Sequence, residues 1–151
     1  MIKIMFVCHG NICRSPMAEF IMKEIVKENG LEKEFYIESA ATSREEIGNP
    51  VYPPAKKILT AHGINCNQKR ARQITLADYD KFDYIVLMDK NNMRNIKYII
   101  PEDAEGKISM LMDYTDTPRD VADPWYTGDF EKTERDVCEG CEKLLKYILS
   151  K

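Results

Sequence analysis

The feature that most limits what this chain can become is a strand that runs into a tight turn and out again as a helix. Ile2-Lys3-Ile4-Met5-Phe6-Val7 is apolar at almost every position, the pattern of a central parallel strand covered on both faces. Cys8-His9-Gly10-Asn11-Ile12-Cys13-Arg14-Ser15 follows as a turn. Ser15 is then expected to cap a helix, with Pro16 at its first position, where a missing N–H costs nothing. A cysteine and an arginine thus bracket a loop that feeds a helix N-terminus, where unpaired N–H groups and the positive dipole end suit anions. Successive loop N–H groups curled round one point form an anion nest. A thiol held there should lose its proton easily. The Arg14 fork can grip two oxygens of a phosphate. Asn11 tolerates the left-handed backbone that such a curl can require. The residues describe a phosphate-binding site with a cysteine nucleophile.

The remaining chain supplies a scaffold for that loop. Met17, Phe20, Ile21 and Ile25 recur on one face of the first helix, and Asn29-Gly30 stops it. Further strands are expected at Phe35–Ala41, Asp83–Asp89 and Lys107–Met112. Helices fall between them: a short one over Ala55–His62 closed by Gly63, another starting at Thr75 with Asp78 as capping-box acid, and a third capped by Asp89. A long C-terminal helix follows Thr127-Gly128-Asp129, with Val137, Cys141, Leu144, Leu145 and Ile148 as its buried stripe. Strands alternating with helices imply an α/β fold: a parallel sheet with helices on both faces and ligands beyond the strand C-terminal ends. At 151 residues the expectation is one domain, residues 1–151, large enough to bury about 70% of its unfolded surface. The run Lys69, Arg70, Arg72 reads as a solvated face.

Charge and cysteine usage exclude several classes. A net charge of −3 argues against nucleic acid as the main partner. The N-terminal apolar run is too short for a signal-peptide core or a membrane span, so no membrane association and a cytoplasmic location are expected. Five cysteines without a small-scaffold spacing fit a reducing compartment. Cys138 and Cys141 spell Cys-x-x-Cys, but inside a helical pattern with no second pair they read as core or surface thiols, and no metal is expected.

Cys8 to Arg14-Ser15 fits Cys-x5-Arg-Ser, and the distant Asp123-Pro124-Trp125-Tyr126 accompanies it. Together with the N-terminal position of the loop, these residues resemble the low-molecular-weight protein tyrosine phosphatase family over roughly residues 2 to 149. The resemblance implies a three-layer domain with a four-stranded parallel sheet, the phosphotyrosine phosphatase I-like fold. It implies hydrolysis of aryl phosphate monoesters, such as phosphotyrosine proteins, through a phosphocysteine at Cys8, with inorganic phosphate as product and no cofactor. Arg14 and the amides of His9, Gly10, Asn11, Ile12, Cys13 and Ser15 would hold the phosphate, and Asp123 would be the general acid. A thiolate working beside a protonated acid implies a mildly acidic optimum.

By the same resemblance Ser39 and His62 brace Asn11, Ile12 flanks the substrate slot, and Cys13 can pair reversibly with Cys8. Trp125 and Tyr126 wall the entrance. Glu45 and Glu46 stand where family members often carry an aromatic, which shifts the expectation toward basic or small substrates. An arsenate reductase of the same fold would need two further cysteines after the middle strand, and residues 67 to 137 contain none. A phosphocysteine carrier or a phosphate-binding module would not need both Arg14 and Asp123.

Overall fold

The computed structural model describes residues 1–151. Four parallel strands, β1 (Ile2–Cys8), β2 (Phe35–Ala41), β3 (Tyr84–Leu87) and β4 (Ile108–Met110), form one sheet in the order β2-β1-β3-β4. The second strand has the bounds its sequence pattern implied; the third and fourth are shorter cores of the expected runs.

Alternation along β1 divides the interior. Ile4, Phe6 and Cys8 face α1 (Arg14–Glu28) and the long C-terminal helix, here α6 (Phe130–Leu149). Met5 and Val7 face the opposite core, with Tyr79, Phe82, Ile96 and Ile100. Residues of opposite parity on a strand point to opposite faces, so helices cover both sides. On the first side α6 comes unusually close to the 3-10 turn Leu111–Tyr114. A Cβ added at Gly140 would lie 2.5 Å from Leu111 Cγ. The predicted stripe of α6, from Val137 to Ile148, is buried.

The intervening helices are α2 (Pro53–Ala61), α3 (Leu76–Lys81), α4 (Lys90–Asn95) and the one-turn α5 (Pro124–Thr127). The capping box expected at Thr75 and Asp78 is formed, and Asp89 caps α4 through a box with Asn92. Helix α1 starts two residues earlier than expected. Its N-cap is Cys13, with no side-chain cap bond, so Ser15 is not the cap. Its hydroxyl is free to act elsewhere.

β1 lies between β2 and β3, reached from opposite sides, so its C-terminal end is the point where the winding direction reverses. Loops leaving a parallel sheet there diverge and open a crevice. Cys8 is the last residue of β1.

Candidate active site

The loop after β1 is held from outside. The Cys8 and His9 carbonyls accept from the amides of Thr42 (2.9 Å) and Ser43 (3.1 Å), just past β2. The Ile12 carbonyl accepts from the Tyr52 amide at 2.9 Å, and that of Cys13 from the Met17 amide at 3.1 Å. With these carbonyls occupied elsewhere, the Asn11 N–H turns to the Cys8 sulfur at 3.3 Å. Asn11 takes φ 61, the left-handed geometry its residue type tolerates, and is the sole non-glycine residue of the chain with positive φ.

Two side chains address the sulfur or its surroundings. Ser15 Oγ lies 3.0 Å from Cys8 Sγ. Arg14, only 2% exposed, donates through Nη1 to Asp89 Oδ2 (2.6 Å) and to the Val121 carbonyl (2.8 Å), and through Nη2 to Asp123 Oδ2 (3.4 Å). Burial works against the Arg14 charge, but the neighbouring Cys8, Asp89 and Asp123 outweigh it and raise its pKa above the ordinary value. Asp123 is not free-standing either. Its Oδ1 accepts from the Trp125 amide at 3.0 Å, capping α5.

Behind Ser15 runs a chain of hydrogen bonds with a defined direction. Glu19, 4% exposed, accepts from Ser39 Oγ at 2.6 Å. Ser39 Oγ, its proton committed, accepts from Asn11 Nδ2 at 2.9 Å. The same Nδ2 donates to Ser15 Oγ at 2.8 Å, while Asn11 Oδ1 accepts from the Arg72 amide at 3.2 Å. Ser15 Oγ therefore accepts a hydrogen bond from Asn11 and keeps its own proton to donate to Cys8 or to the Ala40 carbonyl, 3.4 Å away. Glu19 is held by Lys23 (2.6 Å) and by Lys69 (3.4 Å), and Lys69 also donates to the Ser39 carbonyl at 2.8 Å. Burial lowers the Lys69 pKa, only partly offset by Glu19.

This geometry corrects two expectations. His62 does not reach Asn11; its Nε2 pairs with Glu134 on α6 at 2.5 Å. Ser39 Oγ does accept a hydrogen bond from Asn11 and itself donates one to Glu19, while the Arg72 amide donates to Asn11 Oδ1 in the place expected for His62. The basic run is not a plain solvated face: the Lys69 side chain is only 12% exposed, and Arg72 binds Asp78 through both Nη atoms. The pairings of Asp89 with Arg14 and of Glu19 with Lys69 gave no sequence signal, because each joins residues far apart in the chain.

A cleft of about 400 Å³ opens over Cys8. The loop residues His9, Gly10, Ile12, Cys13 and Arg14 line its base and sides, Asp123, Trp125 and Tyr126 one edge, and Glu45 and Glu46 another. Trp125 packs on Tyr52 with ring centroids 4.8 Å apart, and Tyr52 stacks on Phe130, so the aromatic wall is anchored to α6. Glu45 pairs with His9. Cys13 is buried, and burial, reinforced by the nearby Cys8 and Asp123, pushes its pKa up to about 12. Cys141 is fully buried and Cys138 partly so; burial keeps both thiols well protonated, the latter at about 11.

The family model for low molecular weight phosphotyrosine protein phosphatase matches residues 3–151. The chain belongs to this family. It is 40% identical over 150 residues to the low molecular weight protein-tyrosine-phosphatase YfkJ of Bacillus subtilis, covering 98% of this chain and 96% of the relative. It is 39% identical to the low molecular weight phosphotyrosine protein phosphatase of Gallus gallus, covering 98% and 94%. The crystal structure of YfkJ superposes with a TM-score of 0.95 at 39% identity, covering 99% and 96%. That of SP-PTP from Streptococcus pyogenes gives 0.85 at 43% identity, covering 97% and 93%. The phosphatase is thus an α/β enzyme whose loop, arginine and aspartate meet in one cleft.

Proposed function

We propose that this phosphatase hydrolyses phosphotyrosine and related aryl phosphates in two displacements at Cys8, all 151 residues serving as one domain. The observation that carries this reading is the convergence on one sulfur: Ser15 Oγ at 3.0 Å and the Asn11 amide at 3.3 Å, with Arg14 beside it in contact with Asp123.

In the first step the Cys8 thiolate forms a bond to phosphorus and the P–O ester bond breaks. Asp123 gives its proton to the departing phenol oxygen. The phosphoryl oxygens are held by the loop amides from His9 to Ser15 and by Arg14, whose charge is fixed in advance. Of the three Arg14 contacts, the 3.4 Å one to Asp123 is the longest, and it is the one a phosphate oxygen would displace. In the second step the Asp123 carboxylate takes a proton from water. The water oxygen bonds to phosphorus, the S–P bond breaks, and inorganic phosphate leaves. The Ser15 hydroxyl, aimed at the sulfur, stabilises the departing thiolate. Trp125, Tyr126 and Ile12 give the cleft apolar sides suited to an aryl ring. No helix is long and apolar enough to cross a membrane, and we place the enzyme in the cytoplasm, acting on phosphotyrosine proteins or small aryl phosphates.

Turnover of p-nitrophenyl phosphate without added metal tests the reading. Cys8→Ser and Arg14→Lys should abolish it. Asp123→Ala should slow hydrolysis of a poor leaving group by about 10²–10⁴-fold, and less than threefold would misassign the acid. Enzyme quenched in alkaline denaturant, where the S–P bond survives, should carry one phosphoryl group on the peptide holding Cys8.

A further inference from the structure

Outside the phosphate loop the mouth of the cleft is negative. Glu45 and Glu46 line it opposite Trp125 and Tyr126. Among its lining residues the one Lys or Arg is Arg14, which is buried, and the His9 ring is already paired with Glu45. The neighbouring cation, Arg44, turns away to Gln73 Oε1 at 3.2 Å. Glu46 is positioned by packing: a Cβ added at Gly10 would lie 3.3 Å from Glu46 Cγ, so its stem rests on the loop. Its charge reaches the site, since it contributes to the raised pKa of Cys13. Glu45 keeps most of its side chain exposed, at 65%. Tyr126, 83% exposed, leaves the opposite edge open to an extended chain.

A dianionic phosphate approaching this mouth is repelled until it reaches the loop. A substrate that brings its own positive charge beside the phosphotyrosine turns that repulsion into attraction. Resting on the phosphatase reading above, we propose that Glu45 and Glu46 are specificity-determining residues selecting phosphotyrosines flanked by lysine or arginine.

The two kinds of substrate move in opposite directions, which a merely structural role would not produce. Three substrates separate the outcomes: p-nitrophenyl phosphate, a phosphotyrosyl peptide with Lys and Arg on both sides, and one with Glu and Asp there. At low salt kcat/KM should favour the basic peptide over the acidic one by about tenfold or more, mostly through KM. In the double variant Glu45→Gln, Glu46→Gln that ratio should fall below about threefold, while KM for p-nitrophenyl phosphate drops. Raising ionic strength should shrink the wild-type ratio in the same sense. Turnover of all three with a wild-type ratio under about threefold, or a ratio unmoved by the double variant, would overturn the rim assignment alone. No phosphate released from any of the three would overturn the phosphatase reading, and the rim assignment with it.

Discussion

Asp89 binds Arg14 and caps α4 with different oxygens of the same carboxylate. Oδ2 accepts a hydrogen bond from Arg14 Nη1 at 2.6 Å, and Oδ1 accepts one from the Asn92 amide at 2.8 Å. The start of one helix therefore sets the direction of the guanidinium across 75 residues of chain. Asp89→Asn separates the two roles, since asparagine is also a good N-cap. We expect kcat/KM to fall by about 10- to 100-fold through loss of Arg14 orientation, and urea unfolding to lose up to about 3–5 kcal/mol, because the single Asn oxygen that keeps the cap leaves the buried guanidinium without this counter-charge. Asp89→Ala should lose the cap as well, adding about 1 kcal/mol of destabilisation.

The Glu19 carboxylate gives the hydrogen-bond chain behind Cys8 its direction, because it can only accept. Glu19→Leu leaves Ser39 Oγ without its acceptor and Lys69 without its counter-charge in a buried setting. Breaking one half of such a pair costs about 3–5 kcal/mol, readable in urea unfolding. The retained shape variant Glu19→Gln should fold better yet react more slowly with iodoacetate at Cys8, since a glutamine amide can donate to Ser39 and reverse the chain. Unchanged alkylation in Glu19→Gln would remove Glu19 from the site.

Gly140 tests the packing of α6. In an exposed helix interior, Gly→Ala stabilises by about 1 kcal/mol. Here the new methyl carbon would sit 2.5 Å from Leu111 Cγ and 2.9 Å from Leu111 Cδ2, both in the core. Overpacking of this kind costs about 1–3 kcal/mol, so Gly140→Ala should lower Tm. The pair Gly140→Ala with Leu111→Val should recover part of the loss.

The parts legible in the sequence were those with local causes. β1 showed as a run apolar at almost every position, the Thr75 and Asp89 caps as motifs of three or four residues, and the Cys8 loop as a strand–turn–helix. The position of Asp123 came through family resemblance. What stayed hidden depends on chain segments meeting in space. The 2.6 Å contact of Arg14 to Asp89 follows from the neighbouring strands β1 and β3, and the Glu19–Lys69 pair from α1 lying beside the segment after α2. His62 is not the brace: its ring pairs with Glu134, and Asn11 is held by Ser39, Ser15 and the Arg72 amide. The start of α1 was misplaced for a local reason: Ser15 has the chemistry of a cap, and the curl of the loop spends it on Cys8 instead.

Four thiols bear on stability at high pH: Cys66, raised above 9.0 by its burial, joins the three that follow. Burial raises Cys13 from 9.0 to about 12 and Cys138 from 9.0 to about 11, and lifts Cys141 well above 9.0. In the folded protein they hold their protons above pH 9, where the unfolded chain releases them. The folded state then binds more protons than the unfolded one, so unfolding free energy falls as pH rises. The stabilisation is complete below pH 9 and is lost progressively toward pH 11 to 12. Tyr114, raised from 10.0 by its burial, acts in the same direction at the upper end, so the cysteines are best isolated between pH 8 and 10. Urea midpoints across that window should be level up to about pH 8.5 and then decline by at most about 1.4 kcal/mol per pH unit for each thiol. Cys138→Ala, which removes the least buried of the three and introduces a good helix former, should make the decline shallower. An identical slope in wild type and Cys138→Ala would mean that this thiol ionises alike in both states. Matched alkylation at pH 7 gives an independent check: iodoacetate should label Cys8 first and leave Cys13, Cys138 and Cys141 as protonated thiols.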